Sequence, residues 1–225
     1  MKLYFHPVST ASRPVVMFMA DENISYEPVV VDLMTGAHLK EPFIKLNPSA
    51  MVPFIDDDGF VLTESAAILR YLAEKVGSKK YPTDLKQRAR INERMDWFNT
   101  QLYREWGYHL CYPQLFPHHV RQPDVAQEAT LKWGLEKTQH WLGVLDKHFI
   151  GNNKFLCGNE ITIADYFGSQ ILAMDALIGA KFDAFPNVKR WMGTMRELPN
   201  WKKTNEATDG FGASLREKKF VTVGA

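Results

Sequence analysis

The sequence predicts an α/β domain followed by an all-α domain, and three observations carry that prediction. Residues 1–76 alternate short β-like runs with helical ones. Beyond residue 84 the pattern is helical throughout, and all six tryptophans lie in this second part, from Trp97 to Trp201. Between the two, the stretch 78–84 combines proline with charge directly after Gly77, so it reads as a linker that sets the domains at 1–77 and 85–225. A chain of 225 residues buries a sizeable core without disulfides or metals.

Lys2 to His6 opens the first domain as a strand. A helix is expected from about Ser12 to Glu22, because Arg13-Pro14 in its first turn suits a residue that lacks an N–H. Ser25 to Val31 reads as a second strand, β-branched at its end. A short helix around His38 to Lys45 follows. The run MVPFIDDDGFVLTES then reads as a hairpin, with Val52 to Ile55 and Phe60 to Leu62 joined by an Asp-Asp-Asp-Gly turn. From Glu64, apolar residues at Ala67, Ile68, Tyr71, Leu72 and Val76 mark a helix that Gly77 stops. The order βαβ-α-ββα is the layout of a thioredoxin-like domain.

In the second domain Leu131, Leu135, Thr138, Leu142, Leu145 and Phe149 form one stripe at helical spacing, with Asp124 as the expected cap. At Thr162 the motif TIAD places Asp165 three residues after a capping hydroxyl, and Ile161 precedes it as a hydrophobic staple. Asp165 is therefore assigned structural work. Pro186 opens a further helix that ends near Leu198-Pro199. The tail after Lys202, rich in Gly, Lys and Thr, is expected to pack loosely, with Phe211 and Phe220 able to fold back over a site.

Lys and Arg total 27 against 26 Asp and Glu, a formal charge of +1, and the basic residues are scattered. Nucleic acid is thereby an unfavoured partner. No apolar run approaches the length needed to cross a bilayer, so the expected location is cytoplasmic. Cys111 and Cys157 have no CxxC partner and are expected to be reduced and inert. His109, Cys111, His118 and His119 fit no familiar metal spacing, so no metal is expected. The aromatics Tyr103, Trp106, Tyr108, Tyr112 and Phe116 read as core and pocket wall.

Five segments in order, STASRPV, HLKEPFIKLNP, MVPF, LTESAAILRYLAEK and FLCGNEITIADY, resemble those of the glutathione transferases over nearly the whole chain. The resemblance is strongest to the serine-using members of theta and delta type and their bacterial relatives. Phe5 stands where the tyrosine-using classes carry their phenol. The resemblance implies that glutathione is the co-substrate and that Ser9, four residues before Arg13, stabilises its thiolate. Thr10 and Ser12 are the alternative donors, and Ser12 is the better helix cap.

The resemblance further implies that a cis Val52-Pro53 bond exposes the Val52 backbone to pair with the tripeptide as an added strand. Ser65, at a helix N-terminus, would meet the γ-glutamyl carboxylate, and Glu64 its ammonium. His38 would lie near the glycyl carboxylate. Ala50 or Met51 replaces a residue that is basic in many relatives, and Lys40 is the candidate substitute. Arg13 is expected to form an ion pair between the domains. Ser12, Asn99 and Arg104 are candidates for the pocket of a small apolar electrophile, and a homodimer is implied. A glutathione-dependent isomerase, dehalogenase or ether-cleaving enzyme stays open on these residues, as does a non-catalytic binding or dimerisation module.

Overall fold

A computed structural model describes residues 1–224. Four strands, β1 (Lys2–Phe5), β2 (Glu27–Val30), β3 (Phe54–Asp57) and β4 (Phe60–Thr63), form one sheet in the order β2-β1-β3-β4. The first two strands run parallel and the other pairings are antiparallel. Strand alternation sorts the side chains between two faces. Leu3 and Ile55 enter the main core with the helices α1 (Arg13–Asp21) and α3 (Ser65–Lys75). On the other face Tyr4 stacks on Phe54 at 4.1 Å, and Phe43 of the short α2 (Phe43–Leu46) meets Phe54 edge-on. The β3–β4 turn is tighter than the four residues expected. Only Asp58 and Gly59 turn the chain, both at positive φ, and the Asp56 carboxylate accepts the Gly59 N–H.

The helical part begins with α4 (Leu85–Trp97), whose N-cap Asp84 accepts the Gln87 N–H at 2.9 Å. It runs on through π-helical turns at Phe98–Leu102 and Arg104–Cys111 into α5 (Tyr112–Leu115). The long helix α6 (Asp124–Val144) carries the apolar stripe inward. Asp124 is its first residue and Pro123 caps it, so Asp124 acts through its charge in the first turn rather than as the cap. Gly134 of α6 lies so close to the neighbouring helical segment that a Cβ there would stand 2.6 Å from the backbone of His109. Backbone cannot move aside as a flexible side chain can. Gly134→Ala should therefore destabilise the protein by about 1–3 kcal/mol, read as a lower melting temperature, whereas Gly143→Ala, facing open space, should not.

Helices α7 (Ile163–Leu172), α8 (Asp175–Ile178), α9 (Pro186–Arg196) and α10 (Trp201–Ser214) complete the fold. Thr162 and Asp165 form the expected capping box at the start of α7. The loose tail is overturned. Residues 201–214 are helical and bury Asn205, Thr208 and Gly212, because α10 packs on α1 and α8. The expected ion pair of Arg13 is likewise absent among the described residues. Its guanidinium is buried and donates to the Asn205 side-chain oxygen and the Gln170 carbonyl, both neutral. It still ties the sheet domain to α7 and α10. No helix among the described residues is long and apolar enough to cross a membrane.

Candidate functional site

Sheet topology decides where the predicted site residues meet. Tyr4 pairs with Phe54, Phe54 with Thr63, and Phe5 with Val30. The loop after β1, the segment entering β3, the residues leaving β4 and the segment after β2 therefore emerge at one end of the sheet. Ser9, Val52-Pro53, Glu64-Ser65 and His38 stand on these four segments, so strands that are distant in sequence deliver them to one edge.

The capping expected of Ser12 falls to Ser9 instead. Ser12 has helical dihedrals and makes no capping bond, and its hydroxyl is fully buried without a partner, so it offers no surface to an electrophile. The Ser9 Oγ accepts the Ser12 N–H at 3.2 Å, and the Ser9 carbonyl accepts the N–H groups of Ser12 and Arg13 at 3.1 Å each. Ser9 thus does the capping. Its oxygen is already an acceptor toward the backbone, which leaves its O–H proton as the group it can offer outward.

The Val52-Pro53 peptide is cis. The β-ladder starts only at Phe54, later than the expected Val52, and among the described residues the N–H and C=O of Val52 form no hydrogen bond. Glu64 caps α3 at φ 66°, a left-handed conformation uncommon for a residue with a Cβ, and its side chain is exposed and makes no capping bond. The first N–H groups of α3 are accordingly left for an anion, beside the nearly buried Ser65. His38 sits in a 3₁₀ turn at Ala37–Leu39 instead of a full helix, and its Nδ1 is buried without a partner.

An aromatic wall from the helical part faces this edge. Tyr103 and Tyr112 share a hydrogen bond of 2.6 Å between their hydroxyls. Burial pushes the Tyr112 phenol up to about 12 against the opposing effect of the Thr10 hydroxyl beside it. Burial, reinforced by the Glu64 carboxylate, also raises Tyr108. Those two couplings tie the wall to both the first loop and the start of α3. Phe116 stacks on Phe211 of α10, and His118 and His119 pack on the same cluster. The sequence grouped Tyr103, Trp106, Tyr108, Tyr112 and Phe116 as core and pocket wall, and of these Trp106 is fully buried in the core. His118 and His119, weighed there only as metal candidates, follow Pro117 and join the wall through the turn it starts. Asn99 is exposed, and Arg104 donates from Nε to the buried Glu105 at 2.8 Å. Neither shares a hydrogen bond with the aromatic wall.

A four-stranded thioredoxin-like domain joined to an all-helical one is the fold class. The glutathione S-transferase N-terminal domain model matches residues 3–80 and the C-terminal domain model matches residues 112–199. Human glutathione S-transferase theta-1 is 34% identical over 194 residues, covering 85% of this chain and 80% of the relative. Human glutathione S-transferase theta-2B is 31% identical over 211 residues, covering 92% and 85%. Among solved structures, the apo form of human glutathione-S-transferase T1-1 aligns with a TM-score of 0.82 at 29% identity, covering 94% of this chain and 90% of that one. A delta-class glutathione transferase of Nilaparvata lugens aligns with a TM-score of 0.80 at 30% identity over 96% and 98%. The chain belongs to the glutathione S-transferases, enzymes that conjugate glutathione.

Proposed function

We propose that this enzyme holds glutathione along the sheet edge, keeps its sulfur anionic with the Ser9 hydroxyl, and transfers it to a small apolar electrophile seated against the aromatic wall. The observation that carries this reading is the hydrogen bonding of Ser9, whose oxygen is engaged by the Ser12 N–H while its proton is free. A free thiol with a pKa near about 8.5 is only a few per cent thiolate at neutral pH, and the thiolate is the nucleophile. A hydroxyl donor to a charged acceptor contributes about 1.5–3 kcal/mol, which is about one to two pKa units. The positive end of α1 adds in the same direction. Carbon–sulfur bond formation then expels a halide, breaks a C–O bond of an epoxide whose oxygen takes the electron pair and a solvent proton, or adds to an activated alkene whose neighbouring carbon takes them.

In this arrangement the cysteinyl backbone pairs with the unused N–H and C=O of Val52, next to the cis Pro53. The γ-glutamyl carboxylate rests on the N-terminus of α3 with Ser65, Glu64 takes the ammonium, and the unpartnered His38 nitrogen is placed for the glycyl end. Homodimerisation, a cytoplasmic location and a role in detoxification belong to the same proposal, on the family's account. Ser65→Ala should raise the glutathione Kd about tenfold by calorimetry, the equivalent of one charge-assisted hydrogen bond, with little change in turnover at saturation. Incubation with a panel of halides, epoxides and isothiocyanates tests the reading itself. Thioether products by mass spectrometry support it, and glutathione binding with no product from any of them would favour a binding module.

A further inference from the structure

Among the described residues the Ser9 hydroxyl is held at one point, the Ser12 N–H at 3.2 Å, longer than the roughly 2.9–3.0 Å typical of such bonds. Its direction therefore depends on how firmly the turn 9–13 is fixed, and two residues of that turn are anchored on the helical domain. At Arg13 the guanidinium donates to Asn205 and to the Gln170 carbonyl. At Thr10 the side chain is 4% exposed, and its hydroxyl stands beside the Tyr112 oxygen as a donor. Thr10, the alternative donor to the sulfur, is thus engaged by the helices instead.

Tyr112, the first residue of α5, is itself held from two sides. Its hydroxyl shares the 2.6 Å bond with Tyr103, and its ring meets those of Tyr103 and Tyr108 edge-on, at 6.2 and 5.1 Å between centroids. Both phenols lie within the field of the Arg13 guanidinium. Tyr103, Tyr112, Thr10 and Arg13 therefore form one polar cluster behind the turn that carries Ser9. A displacement of about 1 Å in a group aimed at a reacting atom is enough to cost much of the rate, so whatever fixes this turn bears on the chemistry.

We infer that Tyr112 and Thr10 are positioning residues for the catalytic serine: the Tyr103–Tyr112 pair, through the Thr10 hydroxyl, fixes the turn that aims Ser9 at the glutathione sulfur. The inference rests on the proposed role of Ser9. It makes the helical domain a participant in thiol ionisation as well as a wall for the electrophile. Because Tyr112 also belongs to that wall, its effect on the sulfur is read with no electrophile present.

The measurement is the ultraviolet absorbance of the thiolate in the complex of the whole enzyme with saturating glutathione, less that of the enzyme alone, titrated with pH. The titratable groups around Tyr112 keep their charge over the relevant range of about pH 7 to 8.5. Burial raises Tyr103, Tyr108, Tyr112 and Cys111 and holds His119 below the ordinary imidazole value, while Arg13, though lowered to about 10, stays charged. Tyr112→Phe and Thr10→Val should each raise the pKa of the bound thiol by about half a unit to one unit, a roughly three- to tenfold fall in the ratio of thiolate to thiol, against about one to two units for Ser9→Ala. Thr10→Ser keeps the hydroxyl and should match the wild type. In the Ser9→Ala background Tyr112→Phe should add nothing, because its effect passes through the serine. An unmoved thiol in Tyr112→Phe, with the shift present in Ser9→Ala, overturns the inference and leaves the role of Ser9 standing. A Tyr112→Phe shift that persists undiminished in the Ser9→Ala background overturns it as well. An unmoved thiol in Ser9→Ala refutes the role of Ser9 and the inference together. Should Tyr112→Phe fail to fold, Thr10→Val decides, with Thr10→Ser as its control.

Discussion

Ser9→Ala is expected to lower kcat/KM at pH 6.5 by about 10- to 100-fold and to move the inflection of the pH–rate profile upward by about one to two units. The sign follows from which form the hydroxyl favours. A donor aimed at the thiolate depresses the thiol pKa, so activity is present above that pKa and is lost as the pH falls through it. Removing the donor lets the pKa rise toward the free value near about 8.5, and the variant recovers much of its rate at pH 9. Since the Ser9 oxygen also caps α1 through the Ser12 N–H, the alanine variant should lose about 1 kcal/mol of stability as well. Ser9→Thr is the conservative control: threonine keeps both cap and hydroxyl and should retain the profile and the stability. An unchanged profile in Ser9→Ala, with activity abolished in Ser12→Ala, would transfer the role to Ser12.

How much of this was legible in the chain depends on whether the deciding interaction is local. Four short apolar or β-branched runs are local signals, so all four strands were legible, with β3 starting at Phe54 rather than Val52. The TIAD box is likewise contained within four residues. Helix α10 was not readable, because Trp201–Ser214 holds two glycines, two threonines, an asparagine and an aspartate, all poor helix formers. It is helical because it is packed. A Cβ on Gly212 would stand 2.5 Å from the Ala176 carbonyl oxygen of α8, so the very residue that argues against a helix permits its close approach.

The site residues show the same division. Ser9, Val52-Pro53 and Glu64-Ser65 were each nominated from short motifs, but their convergence is a property of strand order β2-β1-β3-β4. The left-handed Glu64 had no sequence signal, since glutamate carries no preference for that region and only its surroundings hold it there. The ion pair expected of Arg13 failed for a related reason. Its neighbours on α7 and α10 are the Gln170 carbonyl and Asn205, which belong to helices about 160 and 190 residues away in sequence. A sequence shows that a buried arginine needs acceptors, not which acceptors the topology will bring.

Asp165→Ala should cost the fold about 4 kcal/mol, a large share of the 5–15 kcal/mol that holds a typical protein together. The carboxylate is fully buried. Oδ1 accepts the Leu156 N–H and the Trp191 indole N–H, each at 2.9 Å, and Oδ2 accepts the Thr162 N–H at 2.8 Å and its hydroxyl at 3.0 Å. One side chain thus joins the loop before α7, the cap of α7 and the body of α9. Alanine leaves three N–H donors buried with no acceptor, each worth about 1–3 kcal/mol, beyond the small cavity it opens. Urea unfolding followed by tryptophan fluorescence measures the loss, and a value under about 1 kcal/mol would refute the assignment. The charge adds a pH signature. Burial outweighs the four donors and raises the Asp165 carboxyl to about 6, and the Thr162 hydroxyl can reverse direction to accept the added proton. With a folded pKa above the unfolded value near about 3.9, this group's stabilisation is complete at low pH and is lost as the pH rises from about 4 through 6. The stability gap between the wild type and Asp165→Ala should therefore widen by roughly 1 kcal/mol as the pH falls from 7 to 5, since shifts common to both proteins cancel in the difference.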